Sequence, residues 1–168
     1  MNTKKKLYIA YGSNLNLVQM ANSCPTAALV GASEMNDCRL LFRGAHASAV
    51  ATVEPYKGGR VPVLVWEITL ADEATLDRYE GYPHFYRKEK VKVKLNGKTV
   101  TAMVYIMNIA ENDSEADRPL GCPSAYYYDT IREGYETATN AGYEGFDLDI
   151  LRKATSDSAT IEGKATTD

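Results

Sequence analysis

Apolar and polar positions alternate with clear changes of period along this chain. Leu7–Tyr11 is a short apolar run that breaks at Gly12, Ser13 and Asn14. Apolar positions then resume at helical spacing in Leu17, Val18 and Ala21, which predicts one short helix over Leu15–Ala21. Residues 26–44 read as two strands around Glu34–Asp37. AVATVEP (49–55) reads as a strand, YKGGR (56–60) as a turn, and VPVLVWEITL (61–70) as the most strand-like run of all. The period then changes. Thr69 followed by Asp72 predicts a capped helix start, with Asp72 and Glu73 at its positive end, and Gly81 with Pro83 beyond it predicts the stop near Glu80. Residues 86–95 alternate, with Val91, Val93 and Leu95 opposite Lys90, Lys92 and Lys94. Asn96-Gly97 predicts a hairpin into TVTAMVYIM (99–107). From Pro123 the spacing of Tyr127, Ile131 and Tyr135 is helical, FDLDILRKA (146–154) reads as a final short helix, and the chain from Ala154 on is polar. The expected architecture is α+β: a compact mixed sheet or barrel of about six or seven strands with flanking helices. One domain over 7–153 is expected, with flexible termini at 1–6 and 154–168.

Composition adds exclusions more than assignments. At 168 residues the chain is long enough for one real core, and 45% hydrophobic with 24% charged residues is ordinary for a globular protein. The formal net charge is −3, and Lys4–Lys6 is the one basic cluster, which argues against a nucleic-acid groove. Lys90, Lys92 and Lys94 read as the solvated face of a hairpin. No apolar run approaches a membrane span or a signal-peptide core, so cytoplasmic residence is expected. Cys24, Cys38 and Cys122 match no zinc or redox spacing and read as small buried hydrophobes; His46 and His84 have no His or Cys nearby. No metal is expected.

Two places depart from local rules. A strand ending in Gly-Ser-Asn before a helix presents unpaired backbone N–H groups, which attract a carboxylate or a developing oxyanion, and Gly12 allows close approach. The plainer reading is a turn in which Ser13 or Asn14 caps the helix. Glu80 stands at the negative end of its helix, unfavourable by ~0.3–1 kcal/mol. Tyr79, Tyr82, Phe85 and Tyr86 surround it in sequence. A desolvated carboxylate there would have a raised pKa suited to general-base work, whereas the plainer reading is a surface glutamate. Asp72, Glu73 and Asp77 read as cap and solvated face. The tyrosines of SAYYYDT (124–130) read as core, with one or two hydroxyls reaching a pocket.

These stretches together resemble one family. YIAYGSN (8–14) is similar to the signature loop of γ-glutamylcyclotransferase-like (AIG2-like) proteins. LDRYEGYPHFYRKEKVKV (76–93), a helix ending in Glu-Gly followed by a strand, resembles the family's catalytic segment. Pro123-Ser124-Ala125-Tyr126-Tyr127 resembles the Pro-Ser-x-x-Tyr that opens its late helix, and Ile131 and Gly134 fit the continuation of that helix. The likeness runs in order from about Leu7 to Lys153. It implies a compact mixed β-barrel or sheet, and a reaction that converts a γ-glutamyl compound to 5-oxoproline and releases an amine or amino acid. It implies Glu80 as catalytic acid/base, Tyr11, Gly12, Ser13 and Asn14 as the γ-glutamyl-binding loop, and Tyr127 and Tyr86 as substrate contacts. Neither metal nor cofactor is implied; the partner is a small-molecule γ-glutamyl substrate. Segments 55–61 and 109–121, expected near the barrel mouth, carry no recognisable signal. The alternative function is a non-catalytic module that binds a small anion or γ-glutamyl compound in the same loop.

Overall fold

The computed structural model describes residues 4–44, 47–109 and 118–165, with side chains as far as residue 159. Residues 1–3, 45–46 (His46 among them), 110–117 and 166–168 lie outside the described residues. The described elements are strand β1 (Lys6–Ala10), a 3-10 turn (Ser13–Leu15), helix α1 (Leu17–Ser23), strands β2 (Ala28–Arg43) and β3 (Val50–Ile68), helix α2 (Leu70–Glu80), strands β4 (Tyr86–Leu95) and β5 (Lys98–Met107), and helices α3 (Ala125–Asn140) and α4 (Leu148–Ala165).

The five strands form one mixed sheet in the order β2-β3-β1-β5-β4. Strands β1 and β5 pair in parallel, and the other neighbours are antiparallel. The fold is α+β, as the sequence pattern implies, but the strand count is lower. The expected breaks at Glu34–Asp37 and at YKGGR are not turns between strands. Strands β2 and β3 run through them as one long ribbon, with register shifts beside Gly31 and Asp37. Asp37 takes a positive φ of 57°, and the Gly58 N–H donates to its Oδ1 at 2.9 Å. Opposite Asp37, β3 carries four residues (56–59) where β2 has one, an enlarged bulge that bends the ribbon without ending the ladder. The edge strands β2 and β4 come together where Gly31 faces Leu95. No ladder joins them, so the sheet curls without closing into a barrel.

Helix α4 also departs from expectation. Residues 154–165 continue the helix instead of leaving the fold at Lys153. Leu151, Ala154 and Ser158 are all buried on the face that packs on β2. β2 is an edge strand, and its Phe42 N–H donates to Ser158 Oγ at 2.9 Å while Ser158 donates to Ala154 O at 2.7 Å. A polar residue therefore sits in the core fully paired, and its polarity hides a buried face from a composition-based reading.

The local signals behave as expected elsewhere. Thr69 and Asp72 form a reciprocal capping box on α2, and Gly81 ends that helix at φ 64°. Asn96 and Gly97 both take positive φ in the β4–β5 turn. Lys90, Lys92 and Lys94 are exposed. The short helix starts later than predicted. Ser13–Leu15 forms a 3-10 turn, and Asn16, rather than Ser13 or Asn14, caps α1 by accepting from the N–H groups of Val18 and Gln19.

Candidate active site

The 3-10 turn that follows β1 is held from behind by α3. A side chain at Gly134 would meet the Leu15 backbone at 2.8 Å, so glycine is what lets α3 lie directly on the turn. Within the turn, the Leu15 N–H donates to Gly12 O and the Asn16 N–H to Ser13 O, both at 3.0 Å. In a 3-10 turn the first three N–H groups have no partner inside the turn. Here these belong to Gly12, Ser13 and Asn14, and no acceptor among the described residues takes them. All three residues line a cleft of about 490 Å³.

Helix α2 brings Glu80 to the same cleft as its last residue before the left-handed Gly81. The helix end is fixed by the Tyr82 N–H donating to Asp77 O at 2.9 Å and by the Phe85 N–H donating to Gly81 O at 2.8 Å. It is also braced from the sheet. Lys88 on β4 bonds Glu73 and Asp77 at 2.8 Å each, Lys6 on β1 bonds Glu73 at 2.9 Å, and the Tyr105 O–H donates to Asp77 at 2.6 Å. Burial raises the Glu73 carboxyl, but the Lys88 and Lys6 ammonium groups outweigh it and hold the group below its usual range. Asp72, Glu73 and Asp77 are thus not a solvated face. Asp72 and Glu73 are buried, and Asp72 also accepts from Thr26 Oγ1 at 2.8 Å.

Glu80 has no such partner. Among the described residues it makes no hydrogen bond or ion pair, and burial pushes its carboxyl from the ordinary 4.5 up to about 7. The side chain is partly exposed overall, as a group at a cleft wall must be. A carboxyl poised near neutrality can both take and return a proton.

Tyrosines make up much of the remaining wall. Tyr127 is positioned by Ser124, which caps α3 by accepting the Tyr127 N–H at 3.2 Å. Its hydroxyl accepts the Ala51 N–H at 3.0 Å, and the Tyr86 O–H donates to Ala51 O at 2.6 Å. Ala51 lies on β3 beyond the stretch paired with β1, where its outward peptide groups would otherwise be orphaned. Burial, then the nearby charge of Glu80, raises the phenol pKa of Tyr8 and Tyr11 well above its ordinary value; burial, then Tyr11 and Tyr127, does so for Tyr86. These phenols stay neutral and act as hydrogen-bond donors or acceptors.

The cleft thus gathers the residues that the local pattern picked out, Gly12, Ser13, Asn14 and Glu80, and those that only the resemblance implied, Tyr11, Tyr86 and Tyr127. Tyr8, Arg78 and Tyr105 join them without having been singled out. Tyr8 shares the YIAYGSN stretch, and its nearness to Gly12 is the one sequence signal it carries. Of the SAYYYDT tyrosines, Tyr127 reaches the cleft, whereas Tyr126 is exposed to solvent instead of packed in the core. Among the described residues no group of three or more His, Cys, Asp or Glu side chains could hold a metal ion. No helix among them is long and apolar enough to cross a membrane.

A family model for γ-glutamyl cyclotransferase, AIG2-like proteins matches residues 8–129. The solved structure of a γ-glutamyl cyclotransferase is similar at 28% identity and TM-score 0.70, over 90% of this chain and 86% of that one. An uncharacterised Homo sapiens protein is similar at 28% identity and TM-score 0.69, over 89% of this chain and 86% of that one. YkqA from Bacillus subtilis shares the fold at 17% identity and TM-score 0.65, with 80% of this chain covering 49% of that one. No curated protein matches the chain.

Proposed function

The chain belongs to the γ-glutamyl cyclotransferase, AIG2-like family, and from that premise we propose that it cyclises a γ-glutamyl compound to 5-oxoproline with release of an amine or amino acid. The observation that carries the reading is Glu80, a carboxyl with no partner among the described residues and pushed up to about 7 by burial, in one cleft with the N–H groups of Gly12, Ser13 and Asn14.

Those groups supply the chemistry. The substrate's α-ammonium group gives a proton to the Glu80 carboxylate and becomes a neutral amine. The amine nitrogen attacks the γ-carbonyl carbon, closing a five-membered ring and leaving a tetrahedral oxyanion. Attack within one molecule gains from proximity, which can account for about 7–11 kcal/mol of a barrier. Backbone N–H groups of the 3-10 turn stabilise the oxyanion. As the oxyanion collapses, the bond to the leaving nitrogen breaks and protonated Glu80 gives its proton to that nitrogen. The ring nitrogen sheds its second proton through the Glu80 carboxylate to the departing amine, which leaves as an ammonium ion, and the ring keeps a single lactam N–H. Glu80 ends the cycle ionised, as it began.

The test is a panel of γ-glutamyl amino acids and γ-glutamyl amines, with 5-oxoproline measured as product. At least one should turn over, and its N-acetylated form should be inert because the amine can no longer attack. Glu80→Gln should lower kcat by ~10²–10⁴-fold, the range for a positioned proton-transfer group. A folded Glu80→Gln protein with undiminished turnover would remove Glu80 from the mechanism. Ligand-induced thermal stabilisation without product across the whole panel would favour the binding-module alternative.

A further inference from the structure

Six tyrosines line the cleft, and they divide by where each hydroxyl proton goes. A phenol has one proton to give and lone pairs to receive with. Tyr11 gives its proton to Tyr105 O, Tyr86 gives its own to Ala51 O, and Tyr105 gives its own to Asp77, each at 2.6 Å. Those three hydroxyls are struts. Tyr79 and Ser13 share one bond at 3.1 Å.

Tyr8 and Tyr127 do the opposite. Tyr127 receives the Ala51 N–H, and Tyr8 receives Nδ2 of Asn14 at 2.9 Å. The orientation of the Asn14 amide is set independently, because its Oδ1 accepts from Gln19 Nε2 at 3.0 Å. Tyr8 is only 3% exposed, and no acceptor among the described residues takes its proton. A buried O–H held by its oxygen, with its proton unspent in a cleft, is a donor waiting for a ligand.

We propose that Tyr8 is a catalytic residue, its O–H donating to the γ-carbonyl oxygen as that oxygen becomes an oxyanion, beside the N–H groups of Gly12, Ser13 and Asn14. The assignment rests on the cyclisation reading above. Its location argues for the reacting oxygen rather than the substrate's α-carboxylate. Glu80 is the charge that bears most on the Tyr8 hydroxyl. An α-carboxylate is anionic throughout and is repelled by ionised Glu80 in this partly desolvated cleft. The oxyanion forms only after Glu80 has taken the amine's proton and become neutral. A donor that shares the cleft with Glu80 and feels its charge therefore meets a favourable partner at the moment of reaction and not before.

Tyr8→Phe tests this. The expected result is a kcat lower by ~10²–10³-fold, as for loss of one oxyanion donor, with KM within about threefold. Affinity for 5-oxoproline, whose lactam oxygen is neutral and not a tetrahedral oxyanion, should also change by less than about threefold by calorimetric titration. A fall in kcat of less than about threefold overturns the proposal. So does a loss confined to KM and 5-oxoproline affinity, which would mean that Tyr8 merely holds Asn14. If Tyr8→Phe fails to fold, site-specific 3-fluorotyrosine at position 8 keeps the shape and the Asn14 contact but makes the phenol more acidic. An unaltered kcat and pH profile would then overturn the proposal. An inactive wild type on the full substrate panel defeats the cyclisation reading and this assignment together; an active wild type with an unaffected Tyr8→Phe defeats this assignment alone.

Discussion

Glu80→Gln should make the protein more stable at neutral and alkaline pH, and the gain should vanish in acid. The native state holds the Glu80 carboxyl at about 7 against 4.5 ordinarily, because burial disfavours the ionised form. Between those two values the folded chain keeps a proton that the unfolded chain has already released. Unfolding free energy therefore falls as pH rises through this window, and the loss is complete above about pH 7. At about 1.4 kcal/mol per pH unit the full difference is about 3 kcal/mol. Glu80 is partly exposed, and water screening reduces this to an expected value of about 2 kcal/mol. Glutamine has the shape of the neutral acid and carries no charge at any pH. Urea unfolding followed by the emission of Trp66, the single and buried tryptophan, would measure both proteins at pH 4.5 and pH 8. The variant should match the wild type at pH 4.5 and exceed it by about 2 kcal/mol at pH 8, or about 4–8 °C in Tm. If the two proteins differ equally at both pH values, the carboxylate is solvated and the case for a neutral-range base at Glu80 is lost.

Three further outcomes are expected. Gly12→Ala adds a methyl that would sit 3.3 Å from Ala51 Cβ and 3.4 Å from the Tyr127 hydroxyl; kcat/KM on the best panel substrate should fall by about tenfold or more, since small misplacements of reacting groups are costly. Lys88→Met removes the cation between Glu73 and Asp77; a loss of about 1–3 kcal/mol is expected in urea unfolding at pH 7, shrinking in acid as the pKa-lowered Glu73 becomes protonated, and equal stability would show the cluster to be energetically idle. Ser158→Ala leaves the buried Phe42 N–H without its acceptor; a loss of about 1–3 kcal/mol is expected in chemical denaturation, and no loss would mean that this part of α4 does not cover the β2 edge.

The parts of the fold legible in the sequence are those decided within a few residues. The Thr69–Asp72 box, the left-handed Gly81 and the Asn96–Gly97 hairpin are chemistry between near neighbours. The continuity of β2 and β3 is not legible, because a bulge at Asp37 and Gly58 has the same one-dimensional signature as a turn. Only pairing across the ribbon tells them apart. Glu73 and Asp77 look like surface acids because their partners are distant, Lys88 lying fifteen and eleven residues on and Lys6 sixty-seven before Glu73. In the cleft, Gly12 and Glu80 are visible as breaks in local rules. The proton inventory of the tyrosines is not visible, since Tyr11 and Tyr86 give their protons to carbonyls 94 and 35 residues away.

Ala51 shows what such distant pairing means for anyone mapping the site by substitution. Its N–H and its C=O hold Tyr127 from a helix and Tyr86 from a strand, while its side chain is one methyl group. Replacing it with glycine or serine would leave both bonds standing, so side-chain scanning is blind to it. Its contribution would surface only where the main chain itself is edited, by proline or by an amide-to-ester exchange. Part of the cleft's specification is thus written in peptide groups, and the residue that carries it has the least informative side chain in the neighbourhood.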